Sequence, residues 1–382
     1  MASVMSFPTR IVHGKGSIRE LPNELKRAGA TRPLLVTDKG ILQAGLLRFV
    51  SPLLEQAGMK VQVFTEFAAN PTDADAVRGV EAYRAAGADS VLGVGGGASL
   101  DMAKAIALLV HHEPPLARYD DAKGGDAHIT ANVPPIVQVP TTAGTGSEVG
   151  RSTVLVIDGT KVVIFSPYLL ARAAILDPEL TVGLPPFITA ATGMDALTHN
   201  LEAYVAKGDH PLADAIAVDG LRRIAGHLKR AVQNGKDVEA REQMLLGSAF
   251  GAIAFQKGLG ACHSVAHALT PVAGTHHGLA NSLMLPAVVN FNRPVVAERL
   301  ANAAVLLGAD PKMNVQERAH LCVELIDDLR GACGLPRRLS QAGVKREMIP
   351  QIVEKSLADA CHQSNPRPVT QVDFERLIQE AF

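Results

Sequence analysis

The hydrophobic pattern of this chain changes character near residue 185, and that change limits the folds available to it. Before residue 185, short runs rich in β-branched residues alternate with stretches of helical spacing, which is typical of βαβ units and a mostly parallel sheet. After it, nearly every stretch has helical spacing. A chain of 382 residues is also too long for one ordinary core. We therefore predict an α/β domain over residues 1–185 and an all-helical domain over residues 186–382.

The periodicity locates the main elements of both predicted domains. In the first domain we predict strands over residues 32–38, 60–66, 89–97 and 134–142, and helices over residues 45–58 and 73–87. In the second we predict helices over residues 188–206, 211–231, 238–256, 261–270, 279–290, 294–307 and 314–333. Ligands of open α/β sheets bind at the carboxyl ends of the strands, so polar and glycine-rich segments that follow strands are candidate binding loops.

Composition excludes several classes of function. The formal net charge is −1 and no basic block is present, so nucleic-acid binding has no electrostatic support. No apolar run has the length of a signal peptide or a membrane span. The four cysteines form no CxxC pair, which fits a reducing compartment. We expect a cytoplasmic protein without nucleic-acid or membrane partners.

Two residue pairs with helical spacing indicate a metal site. Asp195 and His199 lie four residues apart, as do His263 and His267, so the members of each pair leave one face of a helix. With His277 they offer a carboxylate and imidazoles without a thiolate, a set suited to Fe(II), Zn(II), Mn(II) or Co(II). Histidines packed in a core are the alternative. Two such pairs on apolar helical faces favour the metal site.

Two glycine-rich segments and one aspartate are candidates for nucleotide binding. GVGGGASLDMAK and VPTTAGTGSE each follow a predicted strand, and the first opens a helix whose free N–H groups could face a pyrophosphate. The first segment lacks the GxGxxG spacing, and either one could be an ordinary tight connection or polar loop. Asp38 ends a predicted strand, where it could accept hydrogen bonds from a ribose hydroxyl or cap a helix.

These segments belong to a longer set of motifs that resembles the iron-containing, or group III, alcohol dehydrogenases over essentially the whole chain. The matching stretches, in chain order, are HGKGSIREL, NPT, GGGASLDMAK, PTTAGTGSE, LTVGLPP, ATGMDALTHNLEAY, GACHSVAHAL, HHGLAN and NPR. Their joint occurrence at family spacing is highly specific.

The resemblance implies the fold shared by dehydroquinate synthase and the iron-containing alcohol dehydrogenases. That fold has an N-terminal α/β dinucleotide-binding domain and an all-α C-terminal domain, with the active site in the cleft between them. The implied metal ligands are Asp195, His199, His263 and His277. His267 matches a family histidine that lies near the substrate and nicotinamide, and we interpret it as a proton relay because imidazole changes charge near neutral pH.

The resemblance also carries over a set of cofactor-binding residues: Asp38, Asn70, Gly95, Gly96, Gly97, Ala98, Thr141, Thr142, Lys161 and Leu180. Leu180 is the weakest match, at a position expected to flank the adenine. The chain departs from the family pattern at several positions, among them HALT over residues 267–270, where HPLG is usual. Ala98 stands where many members have serine, which removes a hydroxyl contact but not the backbone N–H groups. His276 stands where proline is common, beside His277.

The implied reaction is reversible hydride transfer between a small primary alcohol or diol and NAD+, assisted by Fe2+, Zn2+ or another divalent ion. Ethanol, butanol, propanediols, lactaldehyde and 4-hydroxybutyrate are candidate substrates, and family habit suggests a homodimer or larger oligomer. The alternatives are a reductase of the maleylacetate reductase type, a lyase of the dehydroquinate synthase type and a non-catalytic metal-binding protein. A lyase of that type holds phosphate with lysine and arginine residues near its metal, whereas this chain offers only Lys257 close to the stretches 188–206 and 259–281.

Overall fold

The computed structural model describes residues 9–68 and 70–382, and these residues form two compact units. The first, which we call the α/β unit, contains the described residues up to Thr142 together with Gly146–Gly183. The second, the helical unit, contains Leu184–Phe382 and the short segment Ala143–Thr145. Three residues in the middle of the PTTAGTGSE motif therefore belong to the helical unit, although the residues on either side belong to the α/β unit. The hydrophobic pattern of the sequence does not indicate this assignment.

The α/β unit is built on a six-stranded parallel sheet with the strand order β1-β8-β5-β4-β2-β3. A separate antiparallel hairpin is formed by β6 and β7. The strands are β1 (Arg10–His13), β2 (Pro33–Val36), β3 (Gln62–Phe64), β4 (Ser90–Gly95), β5 (Ile136–Pro140), β6 (Ser152–Ile157), β7 (Thr160–Phe165) and β8 (Ala173–Leu176).

Both faces of this sheet are covered, which explains why its four inner strands, β2, β4, β5 and β8, are buried along their whole length. Leu34 and Val36 of β2 join one hydrophobic cluster, whereas Leu35 joins the other, as the two-residue period of a strand requires. The helices of this unit are α1 (Leu21–Arg27), α2 (Lys39–Gln43), α3 (Ser51–Gln56), α4 (Asp73–Ala85) and α5 (Gly97–His111).

The α/β unit differs from the predicted elements at several points: β1 and β8 were not predicted, and two further differences have a local explanation. The single helix predicted over residues 45–58 is wrong, because a 3-10 turn over Leu46–Phe49 ends at Val50 and α3 begins after it. Pro52 lies in the first turn of α3, where its missing N–H is tolerated, whereas one continuous helix would need that N–H to bond the carbonyl four residues earlier. The β6–β7 hairpin was not predicted, although its Asp158-Gly159 turn is a recognised hairpin signal.

In the helical unit, α6 packs against α7, α8 and α10, and α10 packs against α9 and α11. The helices predicted over residues 279–290 and 294–307 form one element, α10, with a kink at Val296 two residues after Pro294. The helices are α6 (Pro186–Val205), α7 (Pro211–Gln233), α8 (Val238–Ala254), α9 (Ala261–Ala273), α10 (His277–Leu306), α11 (Val315–Ala332), α12 (Ile349–Ala358) and α13 (Gln371–Ala381).

A parallel-sheet unit followed by a helical unit confirms the predicted fold class. Among the described residues, no helix combines the length and apolar character that crossing a membrane requires.

Candidate metal centre and nucleotide site

Helix α6 places the first predicted ligand pair on its buried side. Asp195 and His199 lie about one helical turn apart, and both side chains are buried. Sixteen other residues of this helix, most of them apolar or small, are also buried or half-buried, so α6 lies at the centre of the helical unit. The i,i+4 spacing in the sequence therefore produces one shared face, as predicted.

Helix α10 brings His277 to the same place through a close backbone contact. A Cβ atom on Gly278 would lie 2.3 Å from the carbonyl oxygen of Ala191 and 3.2 Å from Cβ of Asp195. Only glycine allows α10 to approach α6 this closely. The HGLAN pattern therefore has a packing reason, and His277 begins the helix directly beside Asp195.

Three of the four predicted ligands converge. The candidate ligand atoms of Asp195, His263 and His277 all lie within 4.8 Å of one another. Oδ1 of Asp195 lies 3.5 Å from Nε2 of His277 and 3.8 Å from Nε2 of His263.

The side chain of Asn281 shows that the acceptor atoms of Asp195, His263 and His277 point to a common position. Its Nδ2 group donates to Oδ1 of Asp195 at 2.7 Å and lies 3.2 Å from Nε2 of His263 and 3.3 Å from Nε2 of His277. Three acceptors that share one donor have the arrangement that a bound cation needs. The sequence contains this asparagine in HHGLAN, but the motif alone gives it no role.

His199, the fourth predicted ligand, packs against the converging group. Its ring stacks on His263 with centroids 4.5 Å apart and an interplanar angle of 24°. Burial lowers the pKa of His199 to about 4, although the Asp195 carboxylate acts in the opposite direction. The ring is therefore neutral near neutral pH, which is the form that binds a metal ion.

A buried carboxylate orients His263. Oε2 of Glu202 lies 2.6 Å from Nδ1 of His263, so Nδ1 carries the proton and Nε2 keeps its lone pair. Glu202 was not predicted. Its position three residues after His199 on an apolar helix was an available signal.

His276 and His267 take other positions. The converging group includes His277 and not His276, whose carbonyl accepts from Ala280 at the start of α10. His267 stacks on His277 with centroids 5.3 Å apart, and its Nδ1 lies 2.8 Å from Oδ2 of Asp359. The extra imidazole at 276 is therefore not part of the converging group.

These residues fit a divalent metal ion. The set combines one carboxylate with imidazoles, it is largely buried, and its acceptor atoms converge. Asp195, His263 and His277 would hold the ion, with His199 as the fourth predicted ligand beside them.

In the α/β unit, the turn between β4 and α5 presents backbone groups at a strand end. Gly95 has φ of 150° and a Cβ atom there would lie 2.5 Å from Oγ of Ser99, so this position requires glycine. Gly96 caps α5, which Gly97 begins, and Ala98 lies half-buried in its first turn. N–H groups at the start of a helix can bind an anion, which is the role that the sequence predicts for this turn.

Asp38 reaches the same end of the sheet from β2. Its Oδ1 accepts from the N–H of Ile41 at 3.0 Å and caps α2, which was the alternative interpretation of this residue. Its Oδ2 accepts from Oγ of Ser99 at 2.8 Å. The cap and the proposed ribose contact are compatible, because each carboxylate oxygen can accept more than one hydrogen bond.

The loop after β5 lies beside the same turn. The N–H of Thr141 donates to the carbonyl of Gly95 at 2.9 Å, and a Cβ atom on Gly96 would lie 3.4 Å from Cγ2 of Thr142. The two predicted loops are therefore adjacent, since β4 and β5 are neighbours in the sheet.

The remaining predicted cofactor residues lie in three settings. Asn70 is exposed, and the carbonyl of the next residue, Pro71, accepts from Val156 of β6. Lys161 lies on β7, paired with Val156 across the hairpin. Leu180 is buried in a hydrophobic cluster with Ile18 and Val137.

A buried charged cluster behind these loops was not predicted. Nζ of Lys104 donates to the carbonyls of Ser147, Gly150 and Ser152 at 2.6–2.9 Å and so fixes the loop before β6. Burial lowers the pKa of Lys104 to about 8 and raises that of Glu148 to about 7.

The comparisons with known proteins agree with this architecture. Residues 8–178 match the iron-containing alcohol dehydrogenase family, and residues 189–382 match the C-terminal domain of the Fe-containing alcohol dehydrogenase family. The chain is 40% identical to a 4-hydroxybutyrate dehydrogenase of Cupriavidus necator over 96% of both chains. It is 36% identical to an NAD-dependent methanol dehydrogenase of Bacillus methanolicus over 98% of this chain and 99% of that one.

Solved structures give the same result. A 1,3-propanediol oxidoreductase superposes with a TM-score of 0.95 at 35% identity, covering 100% of both chains. An alcohol dehydrogenase from Oenococcus oeni gives the same TM-score and coverage at 29% identity. The chain therefore belongs to the iron-containing alcohol dehydrogenase family, whose members are NAD-dependent and use a metal ion, and it is an oxidoreductase of that family.

Proposed function

We propose that this chain transfers hydride reversibly between the terminal hydroxyl of a small alcohol, diol or hydroxy acid and NAD+, with Fe2+ held by Asp195, His199, His263 and His277. The observation that carries the proposal is the convergence of three of these ligands on one donor, Nδ2 of Asn281. The named relatives act on 4-hydroxybutyrate and methanol, and both substrates carry a primary hydroxyl.

The chemistry divides between the bound groups and the protein. When bound, the ion supplies a Lewis acid for the substrate oxygen, and the nicotinamide ring accepts or returns the hydride. His267 removes the hydroxyl proton during oxidation and returns it during reduction. The stack of His267 on His277 keeps this imidazole beside the metal ligands.

The α/β unit binds and selects the cofactor. The N–H groups at the start of α5 hold the pyrophosphate, and Thr141 and Thr142 lie beside them on the neighbouring strand end. Asp38 accepts hydrogen bonds from the adenosine ribose and repels the 2′-phosphate of NADP+. Asn70 and Lys161 also contact the cofactor in this proposal, whereas Leu180 contributes core packing beneath it.

The lyase alternative receives no support from Lys257. Its Nζ donates to the carbonyl of Tyr204 at 3.1 Å and to Oδ1 of Asp214 at 2.5 Å, and its side chain is 1% exposed. Arg299 binds the same aspartate and carbonyl. This lysine joins α6 to α7, and Arg299 joins α10 to the same two groups, so the lysine is poorly placed to hold a phosphate.

Two further parts of the proposal concern the cell. We propose a homodimer or larger oligomer, and β1, at an edge of the six-stranded sheet, is a candidate for pairing with a second copy. We also propose a cytoplasmic location, which is supported by the absence of disulfides among all four cysteines. Light scattering and cell fractionation test these two statements.

The central test is a substrate panel. Protein reconstituted under anaerobic conditions with Fe2+, or in parallel with Zn2+, is mixed with NAD+ or NADP+ and with 4-hydroxybutyrate, 1,3-propanediol, methanol, ethanol or butanol. We expect NADH with at least one primary alcohol, a higher rate with Fe2+ than with Zn2+, and little NADPH. The proposal would be refuted if metal-loaded protein formed no NADH from any of these alcohols and also consumed no NADH with the matching aldehydes.

A further inference from the structure

A second carboxylate–histidine pair lies beside the metal ligands. Nδ1 of His267 on α9 lies 2.8 Å from Oδ2 of Asp359, which precedes a 3-10 turn over Ala360–Ser364. The two residues are 92 positions apart in sequence, and both side chains are largely buried.

Asp359 is held firmly by groups other than His267. Its Oδ1 accepts from Oγ of Ser264 at 2.8 Å and from the N–H of Cys361 at 2.9 Å. Burial alone would raise the pKa of Asp359, but His267 and these hydrogen bonds hold it well below its ordinary value. The pair therefore presents an ionised, immobile carboxylate to one nitrogen of His267.

We propose that Asp359 is the positioning residue for His267: it keeps the proton of the neutral ring on Nδ1 and leaves Nε2 as the acceptor. This inference rests on the proposed function, in which His267 relays the substrate proton. A carboxylate can only accept, so the ring nitrogen that faces it must be the donor. When Nε2 takes the hydroxyl proton, the carboxylate also stabilises the cationic ring, as the aspartate of a Ser-His-Asp triad does.

The packing of the ring supports this role. His267 stacks on His277 at 17° and meets His263 edge to face, with ring centroids 6.0 Å apart. Together with the bond to Asp359, these contacts fix the plane of the imidazole. Ser264 lies one turn before His267 on α9 and secures the same carboxylate.

A second metal site is the competing interpretation, because ligand atoms of His267, Asp359 and Cys361 also lie within 4.8 Å of one another. The hydrogen bonds argue against it, since both oxygens of Asp359 already accept from protein donors. In addition, burial and the nearby Asp359 carboxylate raise the pKa of the Cys361 thiol well above its ordinary value, so the thiolate that a metal needs is disfavoured.

The test compares Asp359→Asn with Asp328→Asn, a matched loss of an exposed carboxylate on α11. In NMR spectra of zinc-loaded protein with 15N-labelled histidine, the His267 signals are assigned by their loss in His267→Gln.

We expect the Nδ1–H tautomer of His267 in the wild type and in Asp328→Asn. In Asp359→Asn we expect a mixed population, with kcat about 10- to 100-fold lower and KM for NAD+ unchanged. Asp359→Glu should recover part of kcat.

The outcomes separate this inference from the proposed function. A wild-type His267 with its proton on Nε2, or an unchanged tautomer and kcat in Asp359→Asn, would overturn the positioning role. The wild-type spectrum decides the point even if Asp359→Asn does not fold. Full activity in His267→Gln would instead refute the relay role of His267, whatever the tautomer.

Discussion

Glu202 and His263 form the closest contact around the candidate metal centre: a carboxylate oxygen of Glu202 lies 2.6 Å from Nδ1 of His263. The same carboxylate accepts from the N–H of Cys262 at 2.9 Å and from the N–H of His263 at 3.3 Å. Glu202 on α6 therefore binds the first turn of α9 and fixes the ring that this turn carries. A negative charge at this end of a helix is also favoured by the helix dipole.

Glu202→Gln should weaken metal binding while the ligands stay in place. The new amide can donate to Nδ1, which would move the ring proton to Nε2 and remove the lone pair that the ion requires. Losing such an orienting partner costs about 10- to 100-fold in metal affinity. Competition with a metal indicator measures this loss. Glu354→Gln, on the exposed side of α12, is the control and should bind metal like the wild type. Equal affinities in both variants would contradict the assigned role.

The two adjacent histidines at the start of α10 should behave differently. His277 belongs to the converging group, whereas His276 precedes the helix. We expect His277→Ala to lower metal affinity by more than about 100-fold. The loss should exceed that of Glu202→Gln, because His277 is itself a ligand, whereas Glu202 only orients one. His276→Ala should retain metal, measured by mass spectrometry after dialysis. Full retention without His277 would show that the ligand assignment is wrong.

Asp38→Asn should change cofactor preference without loosening α2. Asparagine caps helices about as well as aspartate, and its side chain can still bond Ser99, so the folded state should keep its stability. Loss of the charge removes the repulsion of a 2′-phosphate, and the preference for NAD+ over NADP+ should fall at least about tenfold.

The ratio of kcat/KM for the two cofactors measures the effect of Asp38→Asn. Asp38→Ala is the matched variant that also loses the cap, at a cost of about 1 kcal/mol in unfolding free energy. A preference that stays unchanged in Asp38→Asn would remove Asp38 from the selection of cofactor.

Glu148 should make stability depend on pH. Its pKa is raised by burial from the ordinary 4.5 to about 7, and Oε1 makes no hydrogen bond within the described part of the chain. Between these values the folded state binds more protons than the unfolded chain, so the contribution of Glu148 to stability is present at low pH and lost as the pH rises through about 7.

Glu148→Gln removes this titration. Relative to the wild type, its unfolding free energy should increase by about 1–3 kcal/mol between about pH 5 and about pH 8. Urea unfolding at both pH values measures the difference, and Glu354→Gln serves again as the control. A difference between variant and wild type that does not change with pH would mean that Glu148 is ionised throughout.

Local sequence patterns predicted part of this site. The spacing of Asp195 and His199 specifies one helical face regardless of tertiary structure, and the glycine run before α5 specifies a turn. The partners of these residues could not be predicted. Glu202 meets His263 across 61 positions of sequence, and only the tertiary arrangement of the helical unit brings them together. Local propensity contains no information about such long-range contacts.

The last prediction concerns the close contact that places His277. Gly278→Ala puts a methyl group 2.3 Å from the carbonyl oxygen of Ala191, and because the obstacle is backbone, α10 must move away from α6. We expect the variant to lose metal affinity with every ligand intact, and about 1–3 kcal/mol of stability. The control is Gly226→Ala on α7, where an added Cβ would meet nothing within 4 Å. Alanine is the better helix former, so this control should bind metal normally and be stabilised by up to about 1 kcal/mol. If Gly278→Ala retained wild-type metal affinity and Tm, the approach of α10 to α6 would not be what positions His277.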